Sequence, residues 1–588
     1  MNLRNRIPSL ILLGGIALVV SLLSVIRTGF SFGVGNNVFH VPVVLGWAQQ
    51  DAFAGDAFYA SLTKFTSVVW PIVGWVANES NVGTVFLASH FLSRFVSLLA
   101  IGWLLVTHLR GPLLTTALAL LVCSLSPWLI GASTVGGHGL WLSYFTHSEV
   151  TWGPLLAALL AALAQRWVLA AGLAGLVFAI NAFVGIWLLA MLAMAFLMGG
   201  AKRAWAQLPK AALAFLLLAS PALVWIARSM GGTSTAFSYI DYIRAYYSEH
   251  FLIEAATYRE LVIAGVSGVT GLLAALLTPR ARFWWSVLGA CALVFACGAV
   301  LPHVVNHRIV FNLHLLRIDG IVQWLSIVLA IAVLSLRLGP DRDVAVRVFA
   351  MVGLLALLFS RKEPVGLMFV MLSLAAVVWI ERGAHWTSDR LWIRRPVVAG
   401  FFAALVILVG VWLWEWTWLN GFLWLAMGAL AVGLCCGLPL RRSPWLLLPM
   451  TVLALLPHVS NSPGVRLEDA HPAGLTELTS WVREQDVQGP FLLSFAGKDV
   501  DYFQLLSRQP VWVDWKQGAA VMWEPNFHDQ WMRRQREVRS LKTPADFAAY
   551  AQANGLRRFV VPQAGAACPA ASRQLFRNNA YLMCELNY

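Results

Sequence analysis

The stretch PSLILLGGIALVVSLLSVI, residues 8–26, decides the fold class because it carries no charged side chain from end to end. A helix needs about 20 mainly apolar residues to cross the hydrocarbon core of a bilayer. Runs of this kind recur along the 588 residues, of which 59% are hydrophobic and 12% are charged, with a mean hydropathy of +0.71. A soluble domain would carry about twice that charged fraction. The sequence therefore predicts a polytopic α-helical membrane protein.

The membrane-length runs number about fifteen, and several are short enough to be tilted or half-spanning, so we expect about 13–15 membrane helices. They lie at residues 8–26, 84–106, 113–131, 151–164, 167–182, 183–199, 208–227, 260–278, 284–301, 318–337, 345–360, 364–381, 397–414, 421–438 and 444–458.

The charges between these runs indicate an orientation. Arginine and lysine concentrate in the loops that face the cytoplasm if the N-terminus is cytoplasmic, as the positive-inside rule requires. These loops account for most of the net charge of +14, and no basic segment with interleaved aromatics indicates a nucleic-acid surface. An odd number of spans would then place everything after residue 458 outside. We accordingly predict a transmembrane domain over residues 1–458 and an outer domain over residues 459–588.

The C-terminal region changes character and predicts a small α/β domain with a largely parallel sheet. No glycine-rich phosphate-binding motif marks a nucleotide site there. Cys568 and Cys584 both fall in this region, and either a disulfide or two free thiols fits the sequence. The predicted strands are FLLSF (491–495), VWVDW (511–515), RRFVV (557–561) and AYLMCEL (580–586), and the predicted helices are residues 474–485, 526–541 and 544–555.

Four predicted outer loops collect most of the histidines and several arginines. They comprise residues 27–83, 132–150, 228–259 and 302–317. Cations on the outer side run against the positive-inside rule, and a bound anion is a good reason for them.

The first of these loops contains NNVFHVPVVLGWAQQDAFAGD, residues 36–56. If residues 40–51 form one helix, His40 and Asp51 lie on one face, while the apolar side rests on the membrane surface. A carboxylate or imidazole in that position could take a proton from a sugar hydroxyl.

Ordinary structural roles are open for several of these residues. Asp56 fits the N-cap of a helix beginning at AFYASL, and Asp51 fits a solvated loop end. Glu149 and its neighbour His147 fit the polar start of a helix. Two further pairs are Asp241 with Arg244, spaced for an i,i+3 ion pair, and His303 with His307, which form only half a metal site.

Short patterns along the chain are similar to those of a known superfamily. HVPVVLGWAQQDAFAGDAFYASL, GGHGLWLSYFTHSEVTW, INAFVGIW and SRQPVWVDWKQGA resemble bacterial proteins of envelope polysaccharide pathways. Together with the signal-anchor helix, the long first outer loop and the C-terminal outer domain, they resemble the GT-C superfamily of integral-membrane glycosyltransferases.

The resemblance implies an inverting transfer of a sugar from a polyprenyl-phosphate carrier to a periplasmic or lipid-linked glycan acceptor. It also implies the bacterial inner membrane, a periplasmic active site, and roles for residues of the outer loops. By this resemblance the catalytic base is Asp51 or His40, and Asp56 is the other acid nearby. The donor phosphate is bound by Arg244, Arg308 and Arg317. Sugar or acceptor groups are bound by Asn37, His147, Glu149, Asp241, His250 and His303.

One departure from the GT-C pattern keeps other functions open. The acid that usually follows the first span closely is replaced here by GVGNNVFH, with Asn36, Asn37 and His40. A non-catalytic sugar-binding subunit of a polysaccharide assembly is therefore an alternative, as is a solute transporter or lipid-linked-glycan flippase. The residues indicate no resident metal site, and a divalent cation stays an open alternative.

Overall fold

The computed structural model describes residues 7–131, 133–199, 202–229, 237–360, 362–383, 463–467, 470–494 and 501–587. Within these residues, eight helices are long and apolar enough to cross a membrane, and four shorter apolar helices accompany them. In chain order they are α1 (Ile7–Thr28), α2 (Val82–Trp103), α3 (Leu113–Leu125), α4 (Trp152–Leu163), α5 (Trp167–Ile180), α6 (Ala182–Gly199), α7 (Leu208–Ser229), α8 (Tyr258–Leu276), α9 (Ala281–Val304), α10 (Ile318–Leu336), α11 (Val344–Phe359) and α12 (Pro364–Gly383).

Each of the first twelve predicted membrane runs coincides with one of these helices, so the predicted polytopic helical fold is confirmed. The physical basis is simple, because an apolar segment in a bilayer must satisfy its backbone hydrogen bonds internally and becomes helical. The last three predicted runs, 397–414, 421–438 and 444–458, lie outside the described residues.

Helix α10 forms the centre of the bundle. Every residue from 318 to 335 except Val322 is buried, and the helix packs against α3, α8, α9 and α11. A helix surrounded by protein on all sides can carry polar side chains, because those side chains meet other protein groups instead of lipid. Asp319 and Gln323 are such side chains, and they lie in the first two turns of α10.

Short elements gather at the end of the bundle where α1 finishes and α10 begins. Strand β1 (Phe30–Ser31) pairs in parallel with β2 (Val465–Arg466), so the start of the first loop and the C-terminal region lie on the same side. The short helices between the apolar ones are Asn37–Val44, Ala57–Leu62, Val69–Gly74, His147–Val150, Lys202–Trp205, Tyr239–Tyr246, Ser248–Phe251 and Arg308–Asn312.

The C-terminal region contains a four-stranded sheet in the order β3-β4-β6-β5, as well as helices Ala473–Glu484, Phe503–Ser507, His528–Ser540 and Pro544–Ala553. The strands are β3 (Phe491–Leu493), β4 (Arg558–Pro562), β5 (Ser572–Arg577) and β6 (Tyr581–Leu586). All three predicted helices are present, and the α/β class is confirmed.

Two details of that sheet differ from the prediction. Only β3 and β4 pair in parallel, and β6 is antiparallel to both β4 and β5. The sequence analysis did not recognise β5, which forms a hairpin with β6. The predicted strand at 511–515 is reduced to one bridge between Val511 and Phe491. Cys568 and Cys584 form a disulfide.

The C-terminal region docks directly on the loops of the helical bundle. The Tyr247 hydroxyl donates to the Trp515 carbonyl at 2.8 Å, and the Trp523 indole donates to the Ser61 hydroxyl at 3.1 Å. Lys64 forms an ion pair with Glu524. These contacts place the segment around residue 516 over the end of the bundle where α10 begins.

A buried ion cluster ties three parts of the bundle together. Arg94 and His90 on α2 both bind the Glu149 carboxylate, and His90 Nδ1 lies 2.9 Å from Glu149 Oε2. Arg94 also donates to the Ser24 hydroxyl on α1 at 2.8 Å and to the Leu142 carbonyl at 2.7 Å. The cluster therefore fixes α1, α2 and the 142–149 segment relative to one another.

We expect the substitution Glu149→Gln to lower stability strongly. It would leave the buried Arg94 charge without its counter-charge, and breaking a buried pair in this way costs about 3–5 kcal/mol. Thermal unfolding in detergent measures the loss. The control is Glu79→Gln, which removes a half-exposed pair with Arg508 and should cost at most about 1 kcal/mol. Equal shifts in the two variants would contradict this interpretation.

Candidate functional site

Arg317 lies immediately before α10, and two backbone carbonyls bind its guanidinium. Nε donates to the Gly136 carbonyl at 3.1 Å, and Nη2 donates to the Gly137 carbonyl at 3.3 Å. Both glycines have positive φ, 76° and 61°. A Cβ atom on Gly136 would lie 2.9 Å from the Arg317 backbone nitrogen. Glycine at position 136 therefore permits both the backbone conformation and the close approach.

Within the described residues, the charge of Arg317 has no acidic partner. In the part of the chain that the structure describes, no carboxylate forms an ion pair with this guanidinium, whose side chain is only partly exposed. Carbonyl oxygens satisfy hydrogen bonds but carry no net negative charge. A partly desolvated cation in this state favours the binding of an anion, and a guanidinium can hold a phosphate or carboxylate through two parallel hydrogen bonds.

Helix α10 also holds the loop that binds Arg317. The Val135 amide donates to Asp319 Oδ2 at 2.8 Å, and Gln323 Nε2 donates to the Trp128 carbonyl at 2.8 Å. Asp319 and Gln323 of the central helix thus fix the loop on either side of residue 130. Arg317 and its carbonyl partners consequently form a rigid unit built on the most buried helix.

Four histidines lie within the field of Arg317: His138, His147, His250 and His314. Burial, followed by the positive charge of Arg317, lowers the pKa of His138 to about 3 and that of His250 to about 3. The same two causes lower the pKa of His147 to about 4. These three rings are neutral at pH 7, so each can accept a proton as well as donate a hydrogen bond.

A second cation reaches the histidines from the C-terminal region. Lys516 begins a short 3₁₀ helix, Lys516–Met522, and its charge contributes to the lowered pKa values of His40 and His250. Burial lowers the pKa of Lys516 itself, whereas Asp501 and Asp514 raise it. We call Arg317, Lys516 and the four histidines the Arg317 cluster.

Sequence reasoning missed Lys516 as a site residue. The pattern SRQPVWVDWKQGA drew attention to this stretch, but nothing in it shows that the lysine meets a loop more than 250 residues away in the chain. The available signal was a basic residue directly after an apolar, aromatic segment in a region predicted to lie outside. His138 and His314 lie in two of the predicted outer loops, and the sequence predicts no role for either.

His40 is buried behind the cluster. Its ring stacks on Trp70 at a centroid distance of 4.2 Å and meets the His147 ring at right angles at 5.6 Å. Neither of its ring nitrogens has a hydrogen-bond partner within the described residues. Burial first, and then the charges of His147 and Lys516, hold the pKa of His40 well below its ordinary value.

The predicted helix over residues 40–51 is not formed. The helix Asn37–Val44 ends before Gly46, which has a φ of 64°, and two short 3₁₀ turns follow. Asp51 is consequently exposed, and none of its contacts in the described residues is with the Arg317 cluster. Asp56 takes the alternative role of N-cap, accepting from the amides of Phe58 at 2.9 Å and Tyr59 at 3.1 Å.

Arg244 lies on the surface in an ion-pair network rather than beside Arg317. Its Nη1 atom lies 3.8 Å from Asp241 Oδ1, and its Nη2 atom lies 3.5 Å from Glu254 Oε1. About half of the Arg244 side chain is exposed. His303 Nε2 lies 3.2 Å from the same Glu254. Asp241, Arg244 and His303, all predicted site residues, therefore belong to one surface network, in which Glu254 links Arg244 to His303.

The remaining predicted residues hold the loops together. Arg308 donates to the Trp523 carbonyl at 3.2 Å, and Asn37 donates to the Phe145 carbonyl at 3.2 Å. Glu149 belongs to the buried ion cluster described above. Among the described residues, no group of three or more His, Cys, Asp or Glu side chains is placed to hold a metal ion.

No family model matches the chain, and a comparison with curated proteins found no match. Solved structures that are similar to it include the following two. Arabinofuranosyltransferase AftD from Mycobacteria matches 98% of this chain and 40% of its own, at 14% identity and a TM-score of 0.40. ArnT from Cupriavidus metallidurans matches 98% of this chain and 97% of its own, at 13% identity and a TM-score of 0.40.

Both similarities are distant. At this level of similarity they assign neither residues nor substrates to this chain.

Because burial lowers the pKa values of the cluster histidines, we expect the stability of the fold to depend on pH. His138 has a folded pKa of about 3, whereas an unfolded histidine has a pKa of about 6.5. Below pH 6.5 His138 is protonated in the unfolded chain but not in the folded chain. The free energy of unfolding therefore falls as the pH decreases from 6.5 toward 3. We expect thermal unfolding in detergent to show this fall, and we expect His138→Gln to reduce its slope. If His138→Gln kept the wild-type slope of stability against pH, the interpretation that His138 is unprotonated in the folded chain would be wrong.

Proposed function

We propose that this chain is an inverting glycosyltransferase that moves a sugar from a polyprenyl-phosphate carrier to a glycan or lipid-linked acceptor. The observation that carries the proposal is the Arg317 guanidinium, which has no carboxylate partner in the described residues and lies at one end of a bundle of apolar helices. A phosphate attached to a membrane lipid arrives at that level of the bilayer. The negative charge of this phosphate would balance the positive charge of the Arg317 guanidinium.

The two cations have a role in the transfer step as well as in binding. When the bond between sugar and phosphate breaks, its electrons pass to the phosphate oxygen, and negative charge develops there. Arg317 and Lys516 are fixed in place before the reaction, by the glycine loop and by the docked C-terminal region, so they stabilise this charge without reorganising. Fixed donors in a partly desolvated site act more strongly than the same groups in water.

His147 is the proton acceptor in this proposal, in place of Asp51 or His40. Its ring is neutral at pH 7 and partly exposed, while His40 is almost fully buried behind it. The acceptor hydroxyl attacks the anomeric carbon, the carrier phosphate departs, and the hydroxyl proton passes to His147. An imidazolium beside a newly formed phosphate dianion is favourable, because an opposite charge nearby raises the pKa of the ring.

The same proposal places the protein in a bacterial inner membrane with the Arg317 cluster on the periplasmic side. The excess of arginine in the opposite loops supports a cytoplasmic N-terminus. The β1–β2 pairing puts the end of α1 and the C-terminal region on one side. The disulfide between Cys568 and Cys584 suits an oxidising compartment on that side.

A non-catalytic sugar-binding subunit is the second candidate. One observation favours it: Asp51 and Asp56, the acids that the sequence offers nearest to the missing GT-C acid, are respectively exposed and engaged as an N-cap. A protein that binds a lipid-borne sugar phosphate without transferring it would still need Arg317 and Lys516, but it would not need a proton acceptor.

We expect Arg317→Gln to reduce glycan product at least about tenfold, because hydrogen bonds to a charged group are worth about 1.5–3 kcal/mol. Mass spectrometry of lipid-linked and surface glycans from cells with each variant measures the product. Arg244→Gln is the matched control, since it removes a surface arginine and should leave the product unchanged. Normal product in Arg317→Gln at wild-type protein level would refute the proposal.

The proton acceptor is tested with His147→Gln. We expect the variant to bind the polyprenyl-phosphate donor as well as the wild type does, while the turnover of reconstituted protein falls by about 10²–10⁴-fold. Binding and turnover are measured separately, by donor titration and by product formation in proteoliposomes. Unchanged turnover would remove His147 from the mechanism. If wild-type protein binds donor but forms no product with any acceptor, the sugar-binding subunit is favoured.

A further inference from the structure

Three cations lie at the ends of three apolar helices, on the side of the bundle where the Arg317 cluster is found. Arg27 is in the last turn of α1, Arg259 is in the first turn of α8, and Lys362 lies two residues before α12 begins. We call these three residues the boundary cluster. Their position at helix ends places them near the level where the hydrocarbon core gives way to lipid headgroups.

The boundary cluster is short of negative charge. Arg259 forms an ion pair with Glu363 at 3.0 Å and also donates to the Lys362 carbonyl. Glu363 is the only carboxylate that pairs with any of the three cations in the part of the chain that the structure describes. Three positive charges and one negative charge leave an excess of two.

The other two cations interact without acidic partners. Lys362 Nζ donates to the Ile130 carbonyl, and the Nε atom of Arg27 is buried with no hydrogen-bond partner among the described residues. Burial, and after it the charges of Arg259 and Arg27, lower the pKa of Lys362 to about 8. The positive charges of Arg259, Arg27 and Lys362 therefore lie close together, and the Nε–H group of Arg27 is a hydrogen-bond donor without a partner in the described residues.

The surroundings of this cluster are those of a lipid-facing surface. On α1, Val19 is 59% exposed and Leu22 is 54% exposed, and at the start of α8 the Tyr258 side chain is 84% exposed. Large apolar side chains exposed along a membrane helix contact acyl chains, and a tyrosine at the helix end suits the headgroup layer. A ligand that reaches Arg27 and Lys362 from this side comes from the membrane.

The boundary cluster is distinct from the Arg317 cluster. Lys362 holds the carbonyl of Ile130, whereas Arg317 holds the carbonyl of Gly136, further along the same loop. Between these two points, Asp319 accepts from the Val135 amide, and Gln323 Nε2 donates to the Ser133 hydroxyl at 3.2 Å. One rigid segment therefore has a cationic site at each end.

We propose that the boundary cluster binds the phosphate of a membrane lipid, as a second phosphate site separate from Arg317. The phosphate oxygens accept from Arg27 and Lys362, while the acyl or prenyl chain lies along the exposed apolar face of α1. This site does not depend on the proposed glycosyl transfer. The same phosphate chemistry is offered by an anionic glycerophospholipid and by a polyprenyl phosphate, and the two sources differ in their chains and headgroups.

The test is native mass spectrometry of the full chain released from nanodiscs, which reports the lipids that stay bound. The nanodiscs contain phosphatidylcholine with either phosphatidylglycerol or a polyprenyl phosphate added. The variants are the double substitution Arg27→Gln with Lys362→Gln, and Glu363→Gln, which removes the one acidic partner. Arg342→Gln is the control, because Arg342 is an exposed arginine beyond the opposite end of α10, paired with Glu381.

We expect the double variant to lose retained anionic lipid by roughly tenfold or more, since it removes two charged donors. Glu363→Gln should retain more lipid than the wild type, because the local positive charge rises, and Arg342→Gln should behave as the wild type. Preferential retention of phosphatidylglycerol or of polyprenyl phosphate identifies the source. Unchanged retention in the double variant, or weaker retention in Glu363→Gln, would overturn the proposal.

The same measurement separates this site from the proposed function. Arg317→Gln leaves the boundary cluster intact, so it should keep the lipid that the double variant loses. If Arg317→Gln abolishes retention and the double variant does not, the phosphate lies at Arg317 alone and the second site is refuted.

Discussion

The guanidinium of Arg317, bound by two carbonyls and matched by no carboxylate in the described residues, is the constraint on which the site depends. It requires glycine at position 136, because any Cβ there would meet the arginine backbone. It also requires a helix rigid enough to hold a partly desolvated charge, and α10 provides this through its burial on every side. The histidines around the guanidinium are neutral because of burial and because of that charge.

The site is assembled from two parts of the chain that are far apart in sequence. The helical bundle contributes Arg317 and the histidines, and the C-terminal region contributes Lys516 through contacts such as that between Tyr247 and Trp515. A cation delivered by a docked region can complete a site only when docking is correct. This arrangement explains why so many of the conspicuous polar residues of the outer loops, Arg308 among them, bind carbonyls of the partner segment instead of facing a ligand.

Sequence reasoning was most successful where one physical variable dominates. The length and apolarity of a segment decide whether it becomes a membrane helix, and all twelve described apolar helices were predicted. It was weaker for charged residues. Asp51 was placed on a helix that ends before it, because the left-handed turn at Gly46 gave no clear signal in HVPVVLGWAQQD. Arg244 and Arg317 are both arginines on the same predicted side, yet one lies on the surface with Asp241 and the other is held in the cluster.

The sequence by itself determined that this chain is a helical membrane protein with a C-terminal α/β region, and it predicted several cations in loops that the positive-inside rule would place outside. Those properties are sums over local composition, so they can be read without coordinates. Only the tertiary structure decided which cations lack a counter-charge, which acids are caps, and that Lys516 joins histidines from other loops. Charge balance depends on distances between residues remote in the chain, and local patterns do not contain those distances.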